Sequence, residues 1–333
     1  MRGSEAGAEE TMKAAMVFLA SVALVCASPF ARAADYPSNP ITLMIGFAPG
    51  GPSDVMARIL TKKMEEILKQ PWVIENRAGA GGSIAGAAVA RAAPEGYTLL
   101  LATGSLLAIN VSLYKNIGYD PEKDFEPIGL IGTQTNVLYL NPSVPAASLG
   151  ELIAYAKANP GKLSFGSGGN GTPAHLAGEL LKLEAKIDIT HVPFRGTGPA
   201  LQAVIGGHVP MAFNPPSPLL PHIQSGTIRA LAITTLKRTA VLPEVPTIAE
   251  SGFPGFEATT WHALVAPAGT PKDVIAMLHR ATAATVNDPP VRKALTDLGI
   301  DVVGGTPEEL RAYVKSEIPK WAEVVRASGA KVD

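Results

Sequence analysis

ITLMIGFAPGGPSDVMARILTKKMEEILKQPWVIEN, residues 41–76, sets the architecture. Its first eight residues, 41–48, form a largely apolar run that reads as a buried strand. The run stops at Pro49-Gly50-Gly51-Pro52. From residue 53 to 70 the pattern becomes helical, with Val55, Met56, Ile59, Leu60, Met64, Ile67 and Leu68 on one apolar stripe. Residues 72–76 then read as a second strand. A Gly/Ala-rich helix at 79–93 and a third strand at 97–102 continue the alternation, which ends at Thr103-Gly104-Ser105. Strand and helix in turn argue for a parallel, three-layer α/β unit.

The pattern then restarts. Strands are expected at 136–142, 163–167, 189–194, 209–214 and 228–234, with helices at 148–161, 172–185 and 198–207. Residues 259–269 read as a strand leading back out, and two long helices, 271–286 and 307–327, close the chain. Both closing helices begin alike. Thr270-Pro271-Lys272-Asp273 and Thr306-Pro307-Glu308-Glu309 each place Thr to cap, Pro at the first helical position and an acid at the third. Two α/β units joined by extended crossovers near 133–138 and 257–262 predict a clamshell with a cleft between its lobes. The expected division is 34–136 plus 259–333 for lobe one and 137–258 for lobe two, with the last two helices packed on lobe one.

At 333 residues the chain has room for two domains. Hydrophobic residues make up 47% and charged residues 17%, with 33 Gly and 29 Pro, as suits a globular protein with many sharp turns. A net charge of −1 leaves no electrostatic footprint for nucleic acid. Residues 1–33 read as a signal peptide: Met12-Lys13 opens a basic segment, 14–27 is an apolar stretch too short to span a bilayer comfortably, and Ala31-Arg32-Ala33 supplies small residues for cleavage near Ala33/Ala34. Residues 1–11 then precede the signal and suggest a misassigned start. Cys26 is the only cysteine and lies within the signal; Val25 before it disfavours a lipid-attachment site. The mature chain is left without a disulfide, a thiolate nucleophile or a Cys-ligated metal. The expected location is the periplasm, where no NAD or other cofactor is expected.

In α/β sheets ligands sit beyond the carboxyl ends of strands, at helix N-termini whose free N–H groups attract anions. Five loops qualify. Residues 47–54 bring Gly50, Gly51 and Asp54; 102–105 bring the hydroxyls of Thr103 and Ser105; 166–172 bring Ser167, Asn170 and Thr172; 194–198 bring Arg195 and Thr197; and 213–217 bring Asn214 and Ser217. The histidines show no metal-ligand spacing. Gly166, Gly168 and Gly171 fit a dinucleotide fingerprint, with Asp188 near the place of its ribose-binding acid. That fingerprint sits in mid-chain, after an α/β unit has already formed, and neither G-x-S-x-G, H-E-x-x-H nor Walker A occurs. An exported enzyme using the 166–171 loop is the rival reading. A ligand-sensing subunit for a membrane receptor is another, which the sequence does not separate from uptake.

From Tyr36 to the C-terminus the sequence resembles the tripartite tricarboxylate transporter substrate-binding proteins, the Bug family. The likeness rests on ordered blocks that include YPSNPITLMIGFAPGGPSDVMAR, VIENRAGAGGSIAGAAVARAAPEGYTLL, KLSFGSGGNGTPAHLAGELLK, HVPFRGTGPALQAVIGGHV and LPEVPTIAESGFPGFE. The resemblance implies a type II-like periplasmic clamshell that binds a small carboxylate, such as a di- or tricarboxylate, an aromatic acid or an acidic amino acid. It implies delivery to a two-subunit membrane permease, and no enzyme activity; the protein itself is expected to be a monomer. It also implies that one loop, Phe47, Ala48, Gly50, Gly51 and Asp54, faces another, Ser167, Gly168, Asn170, Gly171, Thr172 and His175, across the ligand. Ser53 keeps a hydroxyl where many relatives have Thr. Specificity is expected at cleft positions such as Leu106, Asn136, Arg195, Asn214, Trp261 and His262.

Overall fold

A computed structural model describes residues 36–330 except Arg195. The signal peptide, the early start, Cys26 and the cleavage site therefore lie outside the described residues, as does Arg195. The elements belong to one unit, Asn39–Asp333.

The chain opens with β1 (Ile41–Ile45), α1 (Pro52–Leu68) and β2 (Trp72–Asn76). Met56, Leu60 and Met64 of the expected stripe are buried, but Val55 stays at the surface. A single turn of 3-10 helix leads into α2 (Ser83–Ala90), and β3 (Thr98–Thr103) runs into a π-helical turn, Ser105–Ile109, continued by α3 (Asn110–Leu113). Next come β4 (Phe125–Gln134), β5 (Val137–Leu140), α4 (Leu149–Ala158), β6 (Leu163–Ser167) and α5 (Pro173–Ala185). They are followed by β7 (Ile189–Pro193), α6 (Thr197–Ile205), β8 (Met211–Asn214), α7 (Leu220–Gln224), β9 (Arg229–Ile233) and β10 (Thr260–Pro267). The chain closes with α8 (Lys272–Asn287), α9 (Pro289–Asp297), β11 (Ile300–Gly305) and α10 (Pro307–Ser328).

These strands build two sheets. One has the order β11-β4-β10-β3-β1-β2 and the other β7-β6-β8-β5-β9. Neither is parallel throughout, contrary to the expectation from alternation. In the first, β10 lies antiparallel between β3 and β4, because it brings the chain back from the second sheet. In the second, β5 is antiparallel to both β8 and β9. The chain leaves the first sheet after Gln134, enters the second at Val137, and returns between Ile233 and Thr260. A buried node ties these passages together: Asn136 N–H donates to Thr234 Oγ1, Thr234 N–H to Asn136 O, and Ala258 N–H to Thr234 O.

Five of these elements were not legible in the sequence: α3, β4, α7, α9 and β11. β4 contains Pro127, Gly129 and Gly132, residues that argue against a central strand. The glycine at 132 is a packing requirement, since a Cβ there would stand 2.7 Å from Asp301 O on the neighbouring β11. The two Thr-Pro helix starts also differ. Thr306 caps α10 in a full capping box with Glu309. Thr270 does not cap α8, whose N-cap is Pro271, because its hydroxyl turns back to donate to Pro267 O at 2.8 Å.

Candidate functional site

The loop from β1 into α1 and the loop from β6 into α5 face one cavity of about 540 Å³. Phe47, Ala48, Gly50, Gly51 and Ser53 line it from the first loop, and Asn170, Gly171 and Thr172 from the second. Ser105 of the π-helical turn lines it too. Both helices begin with proline, Pro52 and Pro173. The first N–H groups of a helix have no intrahelical acceptor, so two positive helix ends meet at this space. None of the described lining residues is Asp, Glu, Lys or Arg.

Each loop is braced from behind by residues that do not themselves line the cavity. Gly50 turns with φ +79°, and the carboxylate of Asp54 accepts its N–H at 3.0 Å. Asp54 also accepts from Arg58 Nε at 2.9 Å and from Asn76 Nδ2 at 3.2 Å. The Arg58 guanidinium, then the Gly50 amide, hold its carboxyl below the ordinary range, against the opposing effect of burial. Asp54 is thus committed to the loop and faces away from the cavity.

The second loop rests on a histidine pile. His175 Nδ1 accepts the Gly171 N–H at 3.1 Å, so its proton sits on Nε2, 3.9 Å from Glu179 Oε1. Its ring stacks on His191 at 3.8 Å, and His191 Nε2 lies 2.7 Å from Ser167 Oγ. Burial lowers the His175 pKa to about 4 and, with the neighbouring His175 and Lys182, that of His191 to about 3. The pile is neutral at pH 7. Ser167 Oγ further bonds Gly169, accepting its N–H at 3.2 Å and donating to its carbonyl at 3.1 Å. Thr172 caps α5 by accepting His175 N–H and donates to Gly169 O. The amides of Gly169 and Gly171 are therefore spent inside the protein.

Ser167, Gly168 and His175 consequently lie behind the lining rather than in it. Gly168 accepts Gly196 N–H at 3.1 Å in the adjoining loop. Asn214 is buried, donating to Tyr139 Oη at 2.8 Å and Thr197 O at 3.2 Å, and only its neighbour Pro215 reaches the cavity. Leu106 is core, Asn136 belongs to the node between the sheets, and the Trp261 indole donates to buried Glu317. Of the positions expected to set specificity, His262 lines the cavity.

The sequence reading missed Asn110, Tyr114, Gln134 and Thr260, which also line it. Asn110 was the signal to notice: a lone amide in an apolar stretch, it donates to Ser83 Oγ at 2.9 Å and Gly81 O at 3.1 Å, fixing the turn opposite the loops. Gln134 and Thr260 reach the cavity because β4 and β10 pair at those residues.

The family described as tripartite tricarboxylate transporter family receptor matches residues 56–330. Protein BugT of Bordetella pertussis is 41% identical over 298 residues, covering 89% of this chain and 91% of that protein. A Rhodopseudomonas palustris protein solved with adipate superposes with a TM-score of 0.78 at 35% identity, covering 90% of this chain and 100% of the other. MatC from Rhodopseudomonas palustris, with bound malate, superposes at 0.74 with 36% identity, covering 87% of this chain and 100% of the other.

Proposed function

This chain belongs to the tripartite tricarboxylate transporter family of receptors, and we propose that within it the protein captures a small carboxylate in the cleft and hands it to a two-subunit membrane permease. The family is one of periplasmic binding proteins, not of enzymes. The observation that carries the reading is the meeting of two helix N-termini at a cavity with no charged side chain among its described lining residues. A carboxylate needs donors, and helix-end amides with the Ser53, Ser105 and Asn170 side chains offer them without a counter-ion. The adipate and malate held by the two Rhodopseudomonas proteins support this ligand class.

In this reading Phe47, Ala48, Gly51, Ser53, Ser105 and Asn170 contact the ligand. Asp54, Ser167, Gly168, His175 and Asn214 keep the loops in shape, and Arg195 is the candidate for a second anionic group on the ligand. The lobes are 34–136 plus 259–333 and 137–258, and the chain reaches the periplasm by a signal peptide cleaved near Ala33. A thermal-shift panel on the chain from Ala34 onward tests it, with di- and tricarboxylates, aromatic acids, acidic amino acids and NAD. A ligand at a hundred times its Kd adds about 2.7 kcal/mol of stability. A shift with one carboxylate class and none with NAD is the expected result; a shift with NAD alone overturns the reading.

A further inference from the structure

His262 stands on β10 directly across from Thr103 of β3, and both line the cavity. The residue is 2% exposed. Its Nε2 lies 3.4 Å from Ser53 Oγ, and its Nδ1 is buried with no hydrogen-bond partner among the described residues. Its register partners, Thr103 on β3 and Gly132 on β4, and the Ser53 hydroxyl beside its Nε2 are uncharged. The nearby Asp54 carboxylate is turned to Gly50, Arg58 and Asn76. Burial alone lowers the pKa to about 4, so the ring is neutral at pH 7 and holds one proton.

Two tautomers compete for that proton. On Nδ1 it would be a buried N–H with no acceptor, the rarer and costlier kind of orphan. On Nε2 it donates to Ser53 Oγ, and only an acceptor lone pair stays unused. The second arrangement leaves less unsatisfied. Its consequence falls on Ser53, the second residue of α1, at the helix end that lines the cavity. A serine whose oxygen already accepts from the imidazole keeps its own hydrogen for another partner, and a donor chain of this kind polarises each member.

We propose that His262 is a positioning residue for the ligand: held as the Nε2–H tautomer, it donates to Ser53 Oγ and so commits the Ser53 hydroxyl to donate to the bound carboxylate. No proton is transferred; each stays on its own atom. The inference rests on the carboxylate reading of the cleft.

The test combines a spectrum with a mutant cycle. Nitrogen-15 spectra of the histidine rings are expected to show His262 protonated on Nε2 and bare on Nδ1, in both the free protein and the protein saturated with its best carboxylate from the panel. The Nδ1–H form in the saturated protein overturns the inference. In calorimetry with that same carboxylate, His262→Phe should weaken binding roughly tenfold, the scale of one hydrogen bond to a charged group. His262→Gln keeps an N–H beside Ser53 and should restore most of the loss. Ser53→Ala should add little once His262→Phe is present. Independent, additive losses overturn the proposal, and if the Phe variant does not fold, the Gln variant and the spectra still decide. A wild-type protein that binds no carboxylate takes down both the functional reading and this one. Wild-type binding with additive variants takes down this one alone.

Discussion

Gly51 caps α1 in extended backbone, φ −78° and ψ 170°, and an added Cβ would come no closer than 3.4 Å to Ala48 O. Aspartate is a favoured residue at such a cap, so Gly51→Asp should fold and keep its helix. It should also set a carboxylate where the ligand's own is proposed to lie. The expected outcome is an unchanged or higher Tm with carboxylate affinity lost by roughly a hundredfold or more, since like charges in contact cost several kcal/mol. Undiminished affinity in calorimetry would move the site elsewhere. A second consequence at this scale concerns acid. His175, His191 and His262 have folded pKa values of about 4, 3 and 4, against an ordinary 6.5. Between those limits the unfolded chain binds protons that the folded one does not. The stability that these neutral rings contribute is therefore fully present above pH 6.5 and drains as pH falls toward 3. Tm should fall over that window, and His191→Phe should fall less steeply because one of the three protons is gone. An equal slope in the variant would show that His191 is not buried as a neutral ring.

At the scale of elements, the strands and helices that could be read were those with unbroken apolar patterns. Trp72–Asn76 and Leu163–Ser167 have the bounds that the sequence suggested. β4 was hidden because Pro127 interrupts its pattern and because Gly129 and Gly132 answer to the backbone of β11 rather than to strand propensity. Ser105–Ile109 has an apolar sequence that shows no sign of its π-helical turn, which brings Ser105 and Asn110 to the cavity. On α10, Glu317 looks like one more surface acid in an amphipathic helix. In the fold it is 3% exposed and accepts from the indoles of Trp261 at 3.1 Å and Trp321 at 2.8 Å, and from Lys320 at 2.6 Å. Glu317→Ala would strand two buried indole N–H groups and loosen β10 from α10. A loss of about 2–5 kcal/mol is expected in denaturant unfolding; a loss below about 1 kcal/mol would mean that the indoles find other partners.

For the whole molecule, the pairing of sheets through Asn136, Thr234 and Ala258 gives a short, hydrogen-bonded joint beside a cavity that both loops face. A ligand shifts such a molecule toward closure only if it gains contacts from both sides, and the proposed carboxylate does. Small-angle scattering should show a smaller radius of gyration in saturating ligand. The Gly51→Asp variant should show none of this compaction. An unchanged radius in the wild type, with binding confirmed, would mean that the cleft is already closed without ligand.

The sequence by itself determined the two α/β units, the return strand, the glycine-bearing loops at two helix starts, and the family. These follow from local periodicity, proline and glycine placement, and ordered motifs, which act over short stretches of chain. Only the tertiary structure decided that the sheets are mixed and that Asp54, Ser167 and His175 stand behind the cavity instead of in it. It alone brought Asn110 and Gln134 to the space where His262 was expected. Those outcomes depend on which strand lies beside which and which donor finds which acceptor. Such pairings join residues as far apart as Ser53 and His262, and no local pattern records them.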